Sequence, residues 1–238
     1  ATAEDSGLLS TIGGSVIHEA LERFAESGKQ GFLTINASPS QLRVPDFANS
    51  ILAQLAMSGT SPTRLIVEIT EHSLLGNEMV IIENLVEFHR NRIRLYIDDF
   101  GTGYSSISTL RDYPISGMKL DKSFSRLLMS NPSGSIVHLV SGLSELAHHL
   151  HLDRIAEGVE SRECAQRLLE LGWTRGQGYH FGHAEAMGPD HSTLSDSRHS
   201  ASALIDPALV GSSASVSSSA NGEPHTRRAG DHPLPGPR

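Results

Sequence analysis

The stretch "IRLYIDDFGTGYSS", Ile93 to Ser106, decides how the chain is read. Ile93 to Asp98 is a short apolar and aromatic run, the composition of a buried strand. It ends on two neighbouring acids, Asp98 and Asp99, whose charges repel. Gly101 and Gly103 then flank a threonine and make the following turn permissive. Parallel α/β sheets build their sites where strands end, so a strand closing on paired carboxylates directs attention to the other strand ends.

Working outward, apolar periodicity alternates between strand and helix. "SVIHEALERFAE" is an amphipathic helix with Val16, Ile17, Ala20, Leu21 and Phe24 on one side. Strands follow at Gly31–Asn36, Arg64–Thr70, Ile93–Asp98, Gly117–Asp121 and Leu152–Gly158, and "GQGYHF" (Gly176–Phe181) opens a last strand or loop. Helices lie between them: "FANSILAQLAM", "EMVIIENLVEFHRN" with Ile81, Leu85 and Phe88 on one face, "SIVHLVSGLSELAHHL" and "SRECAQRLLELG". This order predicts parallel βα units. The fold class is α/β, a TIM-like (β/α) barrel that is incomplete, with about six of the eight strands such a barrel needs. The first strands are expected upstream of Ala1.

Polar residues recur at the predicted strand ends. Asn36 ends the first strand, and Glu68 stands near the end of the second with Glu71 just beyond. Asp98 and Asp99 close the third, Lys119 the fourth and Glu157 the fifth, while Gln177 falls in the last element. Taken singly, each has an ordinary role, as a helix cap, a solvated group or a surface lysine. Taken together they converge on one end of a parallel sheet. Acids gathered in one cavity repel unless cations neutralise them. An all-oxygen donor set without Cys or His clusters favours hard ions such as Mg²⁺ or Mn²⁺, and adjacent carboxylates suit a two-metal site.

Composition narrows the classes further. The chain has 238 residues, a formal net charge of −8 and 38% hydrophobic residues. The negative charge argues against an electrostatic grip on DNA, RNA or anionic membrane. A single cysteine, Cys164, excludes an internal disulfide and suits a reducing, cytoplasmic setting. No apolar run is long enough to span a membrane. The "GTG" spacing fits neither the P-loop nor the dinucleotide fingerprint. The His148–His151 tract closes a helix and reads as a solvated helix end. Residues 188–238, rich in Ser, Gly and Pro, lack apolar periodicity and are expected to be a disordered tail that adds no strand. The globular part is then 1–187.

The segments "INASPSQL", "VEITEH", "YIDDFGTGYSSISTLRDYPISGMKLDKSF", "IAEGVES" and "GQGYHFG" resemble, in order and spacing, the EAL domain of cyclic di-GMP-specific phosphodiesterases, a TIM-like barrel. The resemblance runs over residues 1–181. It implies that Asn36, Glu68 and Asp98 hold a first metal, Mg²⁺ or Mn²⁺. Asp98 would bridge to a second metal beside Asp99, with Glu157 completing that environment. It implies that Lys119 contacts the attacking water, that Gln177 positions water or substrate, and that Glu71, with Gly101 and Gly103, stabilises the "DDFGTG" loop. The reaction implied is hydrolysis of one phosphodiester bond of cyclic di-GMP to the linear dinucleotide. The implied partners are cyclic di-GMP, a second copy in a homodimer, and an upstream sensory or diguanylate cyclase domain, which can be tethered to a membrane.

The sequence also departs from the family pattern. The signature Glu-Ala-Leu strand end is absent, and "HEAL" at His18–Leu21 falls inside a helix. Thr174 stands where many members carry an acid, and "GHAEAMGPD" after Phe181 is unlike the family. Lacking one carboxylate ligand, residues 1–238 are expected to be impaired as an enzyme. The competing reading is a non-catalytic cyclic di-GMP-binding regulatory module, and a different metal-dependent phosphoesterase on a similar barrel is a third.

Overall fold

A computed structural model describes residues 8–28, 30–74, 78–102, 107–183 and 203–204. Its strands are β1 (Leu33–Ala37), β2 (Leu65–Thr70), β3 (Arg94–Phe100), β4 (Gly117–Leu120), β5 (Asp153–Ala156), β6 (Arg175–Gly176) and β7 (Ala203–Leu204). They form one sheet in the order β1 to β7. The first six are parallel. Every crossover therefore leads to the next neighbour and the strand order never reverses. That is the winding of a (β/α) barrel rather than of a doubly wound sheet with a switch point. β7 pairs antiparallel with β6, so a two-residue strand does come from the stretch expected to add none.

The helices are α1 (Leu8–Glu26), α2 (Pro39–Leu42), α3 (Phe47–Ser58), α4 (Met79–Arg90), α5 (Ile107–Asp112), α6 (Lys122–Ser130), α7 (Ser135–His149) and α8 (Arg162–Glu170). In α1, Ile17, Leu21 and Phe24 are buried at helical spacing, whereas Val16, expected on the same face, is 58% exposed. In α4, Ile81, Leu85 and Phe88 are buried as the periodicity predicts. Phe88 meets Phe47 of α3 edge to face at 6.0 Å. Each such fully buried side chain stabilises the fold by about 1.5–3 kcal/mol. Helix α2 escaped the periodicity because it is a single turn, made by a capping box between Ser38 and Gln41 with Pro39 in the first turn.

Strand alternation splits the interior in two. Leu65, Val67 and Ile69 of β2, Leu95 and Ile97 of β3, and Met118 and Leu120 of β4 join the large core under the helices. Ile66, Tyr96 and Ile155, at the intervening positions, form a small separate cluster on the opposite face. Glu68, Asp98 and Lys119 share the parity of this second face. Sheets covered on both sides give nearly unbroken apolar strands, and the polar exceptions in such strands mark the site.

Candidate functional site

The paired acids are presented by a bulge. Ile97 of β3 pairs with Met118 of β4, and Phe100 pairs with Leu120, so three steps on β3 match two on β4. The extra residue leaves both Asp98 and Asp99 opposite Lys119. In a regular strand, neighbours point to opposite faces. Here Asp99 takes a left-handed φ of 52°, which re-aims its side chain as bulges do. Oxygens of Asp98, Asp99 and Glu157 consequently lie within 4.8 Å of one another. The glycine turn was expected to supply this freedom, but the strained residue is Asp99 itself. Gly101 has a separate reason to be glycine: its φ is +96°, and a Cβ there would meet Phe124 Cζ at 2.7 Å.

Lys119 lies at the centre of the cluster. Its Nζ is 2.8 Å from Glu68 Oε2, 2.8 Å from Asp98 Oδ1 and 2.6 Å from Glu157 Oε1. Its side chain is 4% exposed. Burial alone would push the ammonium towards deprotonation. The charge of Glu68 and the hydrogen bonds to Asp98 and Glu157 outweigh that and hold its pKa well above the lysine range. The protonated form of Lys119 is the one these partners favour.

The carboxylates respond in the opposite sense. Burial raises Glu68 and Glu157 above the ordinary range, with Lys119 opposing the shift in both. Burial also raises Asp99, helped by the negative charges of Asp98 and Asp121. Counting Glu68, Asp98, Asp99 and Glu157 against Lys119, four carboxylates face one ammonium, leaving three negative charges in excess. A partly buried site with this excess of negative charge attracts divalent cations.

The remaining expected residues fall as follows. Asn36 pairs in register with Glu68 on the neighbouring strand, and β1 runs one residue past it. Gln177 is half-buried just after β6, its backbone N–H donating to Ala156 O at 2.8 Å and its carbonyl accepting from Val159 N at 3.0 Å. Glu71 is buried at the start of the 3₁₀ turn Glu71–Leu74. Gly103, like the loop residues 103–106 that Glu71 was expected to hold, lies outside the described residues. "HEAL" lies within α1, as expected, and there Glu19 is exposed and paired with Arg23 at 2.6 Å.

One residue beside the site escaped the sequence reading. Asp121 is 8% exposed. It caps α6 by accepting from Ser123 N at 2.9 Å. Burial would raise its pKa, but hydrogen bonds from Ser123 and a contribution from Asp99 lower it overall. Its place two residues after Lys119, at the start of a helix with Ser123 two residues on, was the available signal.

The cluster suits a hard divalent cation: among the described residues it gathers carboxylate oxygens and no sulfur or imidazole, and Asn36 stands on the neighbouring strand in register with Glu68. Among the described residues, no helix is long and apolar enough to cross a membrane.

The chain is similar in sequence and fold to known proteins. The family model described as "EAL domain" matches residues 1–184. The cyclic di-GMP phosphodiesterase RocR of Pseudomonas aeruginosa is 37% identical over 159 residues, covering 67% of this chain and 40% of RocR. The phosphodiesterase PaMucR, solved as a c-di-GMP complex, superposes with a TM-score of 0.70 at 30% identity, covering 74% of this chain and 78% of that one. BlrP1 of Klebsiella pneumoniae, solved with manganese and cyclic di-GMP, gives a TM-score of 0.66 at 26% identity, covering 75% of this chain and 45% of that one. The chain spans well under half the length of these curated relatives, 26% for an uncharacterized Synechocystis protein and 40% for RocR.

Proposed function

The chain belongs to the EAL domain family, and from that membership we propose that its site hydrolyses cyclic di-GMP to the linear dinucleotide. The observation that carries the reading is the cluster of Glu68, Asp98 and Glu157 around Lys119, with Asp99 brought alongside by the bulge. Asn36, Glu68 and Asp98 are the residues that would hold one divalent cation, and Asp98, Asp99 and Glu157 a second. Mg²⁺ or Mn²⁺ fits these oxygen donors. Such cations, when bound, supply the positive charge that acidifies a water and offsets charge on the phosphate.

The chain's own residues supply placement. Water oxygen bonds to phosphorus, one phosphodiester P–O bond breaks, and the departing sugar oxygen takes a proton. Lys119 donates to Glu68, Asp98 and Glu157 and is assigned to contact with the attacking water rather than to metal ligation. It orients water or a phosphate oxygen by charge and fixes the carboxylates around it. Glu157, half-buried beside Lys119, is assigned to the second cation and its water. Gln177, on the loop after β6, is assigned to substrate and water positioning, and Glu71, Gly101 and Gly103 to holding the loop that follows the bulge. The same reading assigns the protein to the cytoplasm, to a homodimer and to regulation by an attached sensory or diguanylate cyclase domain. The boundary between residues 1–187 and the tail belongs to this proposal as well.

The test is product analysis by chromatography of cyclic di-GMP incubated with the full chain and Mn²⁺ or Mg²⁺. Linear dinucleotide, lost in Asp98→Asn and in the presence of chelator, supports the reading. A second reading is binding without hydrolysis: the Glu-Ala-Leu tripeptide at Glu19–Leu21 lies inside α1, with Glu19 exposed and paired with Arg23 and Leu21 buried in the core, so it offers no strand-end carboxylate. Calorimetric binding of cyclic di-GMP with no product would favour it.

A further inference from the structure

A second polar layer lies one storey beneath the carboxylates, towards the N-terminal ends of the strands. Tyr96 of β3 pairs in register with Gly117 of β4. Gly117 pairs in turn with Asp153 of β5. Neighbouring strands are about 4.8 Å apart, so β3 and β5 are separated by roughly twice that. The Tyr96 ring nevertheless spans the gap, and its hydroxyl donates to Asp153 Oδ2 in a short hydrogen bond.

It can do so because residue 117 has no side chain. A Cβ there would meet Tyr96 Cε1 at 2.9 Å and Asp153 Cβ at 3.0 Å. The same Asp153 oxygen takes Arg175 Nη1 of β6 at 3.3 Å and Arg94 Nη1 of β3 at 3.5 Å. Arg94 is itself stacked on the Phe32 ring at 3.8 Å. Tyr96 is fully buried.

Each member of this layer precedes a member of the site on the same chain segment. Tyr96 is two residues before Asp98, Gly117 two before Lys119, Arg175 two before Gln177, and Asp153 four before Glu157. Strand periodicity puts all of these on one face. Asp153 thus ties together β3, β5 and β6, the strands that carry Asp98, Glu157 and Gln177. The bulge at Asp98–Asp99 leaves β3 short of regular pairing with β4 at that level. Asp98 keeps its register with Thr70 of β2, so it is on the side facing β4 and β5, towards Glu157, that the ladder is interrupted and a side-chain tie can add to it.

We propose that Tyr96 and Asp153, joined across Gly117, are positioning residues that hold the carboxylates of β3 and β5 at metal-binding separation. The inference rests on the metal-site reading above. It assigns a role to a tyrosine and an aspartate that touch neither metal nor substrate. It also explains why a strand otherwise buried on both faces carries glycine at position 117.

The test uses the full chain, with Mn²⁺ binding followed by calorimetry and folding followed by circular dichroism and thermal midpoint. Tyr96→Phe keeps the ring and removes only the hydroxyl, so the interior stays packed. Loss of a group that orients metal ligands typically weakens metal binding tenfold or more, and about a tenfold loss of Mn²⁺ affinity is expected here with the spectrum intact. Gly117→Ala, which drives the ring off Asp153, should match it. Asn84→Ala, far from the layer, is the control: it lowers the midpoint and leaves Mn²⁺ affinity unchanged. Unchanged affinity in Tyr96→Phe overturns the inference. So does an equal loss in Asn84→Ala, which would mark a general loosening of the fold. Should Gly117→Ala not fold, Tyr96→Phe alone decides. A wild-type chain that binds no Mn²⁺ overturns the metal-site reading itself, and the positioning inference with it. Binding by wild type with no effect of Tyr96→Phe overturns the positioning inference alone.

Discussion

The Lys119 ammonium sits 2.8 Å from the Glu68 carboxylate although β3 runs between their strands. Lys119 reaches across the inner face of the sheet and meets Asp98 of β3 and Glu157 beyond β5 as well. One buried cation thus holds acids from three different chain segments. Replacing it strands them. Breaking a buried ion pair by removing one partner costs about 3–5 kcal/mol. Lys119→Met should therefore destabilise the chain by about that amount in urea denaturation. Saturating Mn²⁺ should restore part of the loss, because it supplies the missing positive charge. Equal loss with and without Mn²⁺ would contradict the shared use of these carboxylates.

Asp99 separates backbone strain from charge. Its φ of 52° suits glycine or asparagine and penalises β-branched residues. Asp99→Gly is expected to retain wild-type stability within about 0.5 kcal/mol, since it relieves strain and removes a carboxylate crowded by Asp98. It should nevertheless lose Mn²⁺ affinity and turnover. Asp99→Val should lose both, with about 1–3 kcal/mol of destabilisation from the enforced conformation. Thermal melts beside Mn²⁺ titrations distinguish the two outcomes. If Asp99→Gly binds Mn²⁺ as wild type does, Asp99 is not a ligand.

Asn84 is the polar stitch between α4 and the segment around α3. Its Oδ1 accepts from Ala48 N at 2.9 Å, and its Nδ2 donates to Leu42 O at 2.9 Å and Val44 O at 3.0 Å. Asn84→Ala leaves these backbone groups without that partner in a buried place. A buried group left unsatisfied costs about 1–3 kcal/mol, so a total of about 3 kcal/mol is expected from urea denaturation. A loss below about 1 kcal/mol would show that water replaces the side chain.

Cys164 provides a pH-dependent readout of folding. It is 3% exposed on α8. Burial, the largest influence, raises its pKa above the usual thiol value. A group whose native pKa is raised favours the fold below its unfolded pKa, and that contribution is lost as pH rises through the native value. Only the thiolate is nucleophilic. At pH 8 the native thiol should react with iodoacetamide far more slowly than the urea-unfolded chain, with reactivity appearing only at more alkaline pH. Equal rates in both states would show that α8 opens readily.

The sequence by itself determined the alternation of strands and helices, because period-two and period-3.6 burial is written in local residue order. It also determined the identity of the strand-end residues: Glu68, Asp98, Lys119 and Glu157 are conspicuous in runs that are otherwise apolar. Short elements were illegible. The single turn α2 is made by a Ser38–Gln41 capping box, and the two-residue β7 by pairing with β6, so neither has periodicity to read. Three things only the tertiary structure decided. The bulge that turns Asp98 and Asp99 to the same side depends on how β3 registers against β4. The convergence of three carboxylates on Lys119 depends on the winding of β2, β3, β4 and β5 into one curved sheet. The Tyr96–Asp153 contact depends on the empty space above Gly117. Each is a relation between strands that are distant in sequence, formed only when folding brings polar groups together out of water, where pairing has to offset the cost of desolvation.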